Sequence, residues 1–335
     1  MRRDKHRPRR VLLGALGLFA LSQLALGLWL DHGAPLFRFA SLRTVLLRLE
    51  SRGTQPHLLV LGSSRLEGAF QEREAVLLGA SGLFNAAVPA GDPTAQEAVL
   101  DQLRLAGVRP RRIVLEVCPE FFTRSNFCAG WNGLRLHRWA DLPQHLDQIA
   151  VTNYLGRVAT ARLVPAYSYR DLFWQECRGG AGPWVAKPLE LAPAPLARQQ
   201  NTDREPIVVE QTPEQAAAMI QGAAHAKRAW LADFSVVSLN VEALDRLIAK
   251  AQALGAEVWL VTPPLSSPHR ALYTPAIESA YQAILERTGC RHVDCRDWMG
   301  DEHFVDSHHL NLESGRLFTR RFFDEWMVPL EKEGS

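Results

Sequence analysis

Two short stretches carry residue types that can do nucleophilic chemistry together. Leu61-Gly62-Ser63-Ser64-Arg65 follows an apolar run, and Asp306-Ser307-His308-His309 lies near the C-terminal end. A serine in the tight turn after a strand presents its hydroxyl above the sheet, where nearby backbone N–H groups can face an oxyanion. An aspartate three residues before a histidine can accept a hydrogen bond from the imidazole and fix its tautomer. The other ring nitrogen is then a base towards a serine. Taken singly, neither stretch says much: Gly-Ser-Ser is ordinary loop material, and histidines are common before a helix. The serine turn is not a G-x-S-x-G elbow, because Leu66 stands where the second glycine would.

The elements that must position these residues read as an α/β body. His57–Leu61 is predicted as a strand ending at Gly62, and Arg112–Cys118 as another. Glu257–Val261 follows before Thr262-Pro263-Pro264, and Arg291–Asp294 is a short fourth. Asp92-Pro93 predicts a helix start with Val99, Leu100 and Leu103 on one face and Gly107 beyond the end. Asn240 is expected to cap a helix bearing Leu244, Leu247, Ile248, Ala251 and Leu254, closed by Gly255. A helix over 276–287 and a last one from Ser314 towards Leu330 complete the pattern. Strands alternating with helices imply a mostly parallel sheet covered on both faces, with ligands beyond the strands' carboxyl ends. Residues 119–213 break the pattern. Six prolines and Gly179, Gly180 and Gly182 fall within 178–213, so the segment is read as an insertion into one domain, with Thr212-Pro213-Glu214-Gln215 restarting a helix.

The order serine after the first strand, then Asp-x-x-His before the last helix, resembles the SGNH/GDSL hydrolase superfamily. Gly62-Ser63-Ser64 looks like its Gly-Asp-Ser block, which implies Ser64 as nucleophile with Ser63 at the variant position. Asp306-Ser307-His308-His309 is similar to its final block, implying Asp306 and His309 as the other triad members. Phe84-Asn85-Ala86-Ala87-Val88-Pro89-Ala90-Gly91 resembles its second block, implying Gly91 as an oxyanion N–H donor. The resemblance covers about 57–118 and 240–325, and implies a flavodoxin-like fold, parallel sheet with helices on both faces. The family's Gly-x-Asn-Asp block is missing: Glu116-Val117-Cys118-Pro119-Glu120 stands there, and Asn126 is the substitute the insertion offers. Ser63, Arg65 and Asn311 join Gly91 as oxyanion or substrate candidates, Arg65 either holding a substrate carboxylate or tying down its own loop.

The N-terminus points to a membrane. Arg2, Arg3, Lys5, Arg7, Arg9 and Arg10 precede an uncharged run from Val11 to Leu30. Twenty residues at about 1.5 Å each reach roughly 30 Å, a bilayer core. The basic flank predicts a cytoplasmic tail over 1–10, a span over 11–30 with Trp29 at the interface, and 31–335 outside. A cleaved signal peptide is the competing reading, without a clean A-x-A site after the run. The anchor and the Leu-Gly-Ser-Ser-Arg and Asp-x-x-His-Leu-Asn wording look closer to one subgroup, the anchored proteins of envelope acylation (alginate O-acetylation and teichoic-acid D-alanyl-transfer type). That resemblance implies transfer of an acyl group, acetyl above all, onto an envelope or exported polysaccharide or glycolipid. It also implies a membrane-bound O-acyltransferase partner and a bacterial-type cytoplasmic membrane. An anchored carbohydrate or lipid esterase and a non-catalytic envelope assembly or binding module are the alternatives.

With 38 Lys and Arg against 36 Asp and Glu, the net charge of +2 gives no basis for a nucleic-acid partner. No cofactor or metal is expected: Asp301, His303, Asp306 and His308 crowd one loop without a second ligand cluster. His308 reads as a solvated neighbour. Of the five cysteines, Cys290 could pair with Cys295 and Cys118 with Cys128, or most could be small buried apolar residues, as could Cys177. Trp131, Trp139, Trp174 and Trp184 could stack on sugar rings or bury a subcore.

Overall fold

The computed structural model describes residues 7–30, 40–123, 160, 163–170 and 212–327. Asn126, Cys128, Cys177, Trp131, Trp139, Trp174, Trp184 and the tail residues Arg2, Arg3 and Lys5 lie outside them. The chain divides into two compact units, residues 1–43 with 130–198 and residues 44–129 with 199–335. Most of the segment read as an insertion thus falls in the first unit, with the N-terminal helix.

In that first unit, α1 (Arg7–Leu28) begins four residues earlier than the uncharged run, on its basic flank. The 18 residues Val11–Leu28 are long and apolar enough to cross a membrane. Apolar side chains along it are exposed, Leu18 at 71% and Val11 at 68%, as is Trp29 at 41%. The half-polar exception is Gln23, whose Oε1 accepts from the Ala166 N–H at 3.1 Å in the short helical turn Pro165–Ser168.

The second unit is built on five parallel strands: β1 (Leu58–Leu61), β2 (Leu83–Asn85), β3 (Arg112–Glu116), β4 (Glu257–Thr262) and β5 (Arg291–Asp294). Their order is β2-β1-β3-β4-β5, the flavodoxin-like doubly wound order. Runs such as Leu-Leu-Val-Leu are apolar throughout because helices cover both faces of a parallel sheet. Leu58, Val60, Val114, Trp259, Val261 and Val293 share one core with Phe318 and Phe322 of α9 (Leu312–Phe322). The α2 helix (Ala40–Arg52) precedes β1. Leu66 and Ala69 of α3 (Ser64–Ala69) and Ala75 of α4 (Glu72–Leu77) join that core. The alternate residues, Leu59, Ile113, Val258 and Leu260, are equally buried on the other face. There α5 (Pro93–Leu105) packs against a later helix, α7 (Ser238–Ala253), which follows α6 (Pro213–Leu231). The α8 helix (Pro275–Thr288) leads into β5.

Several boundaries moved. Asn240 sits inside the first turn of α7, not at its cap, because its Nδ2 is drawn to the Phe121 carbonyl; Val237 takes the cap position. The last helix starts two residues early, since Asn311 Oδ1 accepts from the Ser314 N–H at 2.9 Å, and it passes into a π-turn at Phe323–Met327. Cys118, Cys290 and Cys295 are free thiols, so the Cys290–Cys295 pairing is not made; Cys128, the other candidate partner, lies outside the described residues.

Candidate active site

Ser63 and Ser64 occupy the turn between β1 and α3, beside the point where the strand order reverses between β1 and β3. The turn is crowded. A Cβ at Gly62 would stand 2.5 Å from Glu116 Oε2, and one at Gly91 would stand 2.0 Å from the Gly62 carbonyl oxygen. Backbone must therefore pass where any side chain would collide, which requires glycine at both positions.

The second stretch forms a tight loop after β5. Phe304 and Leu310 pair across its base, and Val305 N–H donates to the His309 carbonyl at 2.9 Å. Asp306 Oδ1 accepts from the backbone N–H groups of His308 (2.8 Å) and His309 (2.9 Å), folding the loop around its own carboxylate. That arrangement brings three side chains into one line. Ser64 Oγ lies 2.8 Å from His309 Nε2, and His309 Nδ1 lies 2.7 Å from Asp306 Oδ2. All three are half-buried. Burial pushes the Asp306 carboxyl up, but the His309 hydrogen bond and the nearby His308 outweigh it and hold it well below the usual range. An ionised Asp306 accepts the Nδ1 proton, so His309 Nε2 is left to accept from the Ser64 hydroxyl. The Ser64 backbone N–H, at the start of α3, has no acceptor among the described residues.

No family model matches this chain. No curated protein matches it either. Among solved structures it matches LAE5, an α/β hydrolase enzyme from the metagenome of Lake Arreo, Spain, with 12% identity and a TM-score of 0.33, over 81% of this chain and 94% of that one. A TM-score of that size carries no argument about this chain's chemistry, which rests on the geometry.

Two expected contacts turn out otherwise, and two other candidates take structural partners. The Gly91 N–H donates to the Val88 carbonyl at 3.0 Å, in a turn where Ala90 takes the left-handed φ of 56°, so it does not stand free for an oxyanion. Ser63 faces inward: its N–H and Oγ both donate to Glu116 (2.6 and 2.8 Å), while its Oγ caps the Arg65 N–H at 3.2 Å. Arg65 is the loop tie, not a substrate clamp. It is 7% exposed; its Nε donates to Glu116 Oε1 at 2.8 Å, a terminal nitrogen donates to Cys118 Sγ at 2.7 Å, and the guanidinium lies over the Phe121 ring. Asn311 gives its Oδ1 to the helix cap.

The histidines also separate. His303 Nδ1 pairs with Ser314 Oγ, and Asp301 caps the turn at Ser267, so neither faces the serine. Candidate ligand atoms of Asp306, His308 and His309 lie within 4.8 Å of one another, but Asp306 Oδ2 and both His309 nitrogens are already in the serine line. His308 is no solvated neighbour: its side chain is 16% exposed, and its ring centroid lies 4.2 Å from that of His309. Burial first, then His309 and the cations Arg65 and Lys227, depress its pKa far below the ordinary histidine value against the pull of Asp306.

The sequence reading missed Glu116, Glu120 and His269. Each is fully or almost fully buried, and burial of a charge without partners would cost several kcal/mol. That rule was the available signal: a glutamate ending an otherwise apolar strand must have a cation, and Arg65 is it.

Proposed function

We propose that this chain is a membrane-anchored, SGNH-type serine acyltransferase that moves an acyl group, acetyl above all, onto a hydroxyl of an envelope or exported polysaccharide or glycolipid. The observation that carries the reading is the hydrogen-bonded line Ser64–His309–Asp306, closed by residues from opposite ends of the second unit. His309 Nε2 takes the Ser64 proton as Oγ attacks the acyl carbonyl; Asp306 keeps the imidazole in the required tautomer and offsets its charge. The unpartnered Ser64 N–H is the donor available for the oxyanion. The leaving group departs with the proton from His309. An acceptor hydroxyl then attacks the acyl-Ser64 ester, giving its proton to His309 Nε2, and Ser64 Oγ leaves and is reprotonated from there.

Sugar hydroxyl or water completes the cycle by the same steps, so transferase and anchored esterase differ only in the acceptor. The transfer reading is supported by α1: an exposed apolar helix with basic residues on its N-terminal flank would hold the second unit beside a membrane-borne donor, on the side away from the cytoplasm. A membrane-bound O-acyltransferase would supply that donor. The test is turnover of p-nitrophenyl acetate by the full chain in detergent. Turnover that vanishes in Ser64→Ala supports the enzyme; equal turnover in both proteins contradicts it and favours the assembly module.

A further inference from the structure

Behind the serine line runs a second chain of polar contacts that the proposed reaction leaves unused. Glu120 Oε1 accepts from the Tyr273 hydroxyl at 2.8 Å and from His269 Nε2. His269 Nδ1 lies 3.2 Å from Ser307 Oγ, which lies 3.0 Å from His308 Nδ1. Glu120, His269 and Ser307 are buried, the last two completely. The chain therefore starts in the core and ends on the ring that packs, tilted, against His309.

The proton positions follow from what each group can do. Burial pushes the Glu120 carboxyl up, but the hydrogen bond from His269 and the charge of Arg65 hold it well below the usual range, so it is an acceptor and His269 carries a proton on Nε2. With its proton on Nε2 towards Glu120, His269 accepts at Nδ1 from the Ser307 hydroxyl, whose oxygen in turn accepts from His308 Nδ1–H. Asp306 Oδ1, 3.4 Å from the same His308 nitrogen, favours a proton there independently. His308 Nε2 is left with a lone pair, and it has no partner among the described residues. Two imidazoles thus stand side by side, tilted 41° to each other, each with Nδ1 occupied by a group behind it and Nε2 an acceptor.

We propose that His308 Nε2 binds a second hydroxyl of the acyl acceptor, next to the one that reacts, so that the site takes vicinal diols as found on sugar rings. Glu120, His269 and Ser307 are positioning residues that fix the His308 tautomer. The inference rests on the Ser64 acyl-transfer reading. The reacting hydroxyl gives its proton to His309, as above; its neighbour donates a hydrogen bond to His308, which stays neutral and takes no proton in the cycle.

The test uses the full chain in detergent with p-nitrophenyl acetate as donor and two acceptors, methyl glucoside (vicinal diols) and cyclohexanol (one hydroxyl). In His308→Phe, which keeps a ring beside His309 but loses Nε2, the ratio of glucoside to cyclohexanol transfer should fall about tenfold, the worth of one hydrogen bond. Ser307→Ala, a smaller change, should lower the same ratio less. Ring-nitrogen NMR of 15N-histidine-labelled protein should find the His308 proton on Nδ1, moving towards Nε2 in Ser307→Ala. An unchanged ratio in His308→Phe, or a wild-type His308 proton on Nε2, would overturn the inference while Ser64 acylation stood. Absence of Ser64 acylation in the wild type would instead remove the reading beneath it.

Discussion

Ser64 and Arg65 are consecutive residues on one turn, yet they belong to opposite kinds of polar network. Ser64 joins His309 and Asp306, all half-buried, with hydrogen bonds of 2.8 and 2.7 Å and no permanent cation. Arg65 joins Glu116, Glu120 and Cys118, sealed from solvent, with its guanidinium carrying the charge balance. The open network can exchange protons with a ligand. The sealed one cannot, and its charges instead fix where the turn sits. Glu116 also binds Ser63 through two bonds, so the position of the serine line is set by the ion pair next door.

Substitutions in the two networks should therefore fail differently. In the open one, Asp306→Asn should cut Ser64 acylation by about 10³–10⁴-fold, since the amide favours the wrong imidazole tautomer. Its urea midpoint should change little; a large stability loss with acylation preserved would reverse the assignment. In the sealed one, Glu116→Gln leaves the Arg65 charge buried and half-unpaired, and should destabilise the fold by about 3–5 kcal/mol, read as a lowered urea midpoint. An unshifted midpoint there would mean the pair holds nothing.

The acid limb sharpens the contrast. Although burial opposes it, the hydrogen bond from His269 and the charge of Arg65 hold the Glu120 carboxyl below its unfolded value. A carboxylate depressed in this way adds stability that is present above about pH 4.5 and lost as pH falls towards its folded value. Thermal melts of wild type should show that loss between about pH 4.5 and pH 3, and Glu120→Gln should flatten that part of the curve. The smallest expected effect is local: Asn311→Ala removes the cap of α9 and should cost about 1 kcal/mol without touching acylation.

How much of this was legible in the sequence follows from the same contrast. The three residues of the serine line were legible through the resemblance that joins Gly-Ser-Ser after an apolar run to Asp-x-x-His before a helix, since either stretch alone reads as ordinary loop material. The strands were readable because a doubly covered parallel sheet needs continuous apolar runs. The sealed network was not, because Arg65, Glu116, Glu120 and His269 meet only through the fold, and no spacing announces them. Gly91 shows the limit of a motif: the residue type was seen, but its requirement comes from the Gly62 carbonyl beside it, and its N–H serves a turn. Asn311 and Ser63 likewise had polar groups that a cap and a carboxylate claim locally.

The central claim is that Ser64 is the nucleophile of an acyl-transfer site. It is tested most directly by intact mass of the full chain after exposure to an activated acetyl ester, with peptide mapping of any adduct. The account predicts a single acetyl adduct on Ser64, absent from Ser64→Ala and strongly reduced in Asp306→Asn. An adduct of equal size in Ser64→Ala, or none in the wild type under conditions where the ester is consumed by no other step, would contradict it.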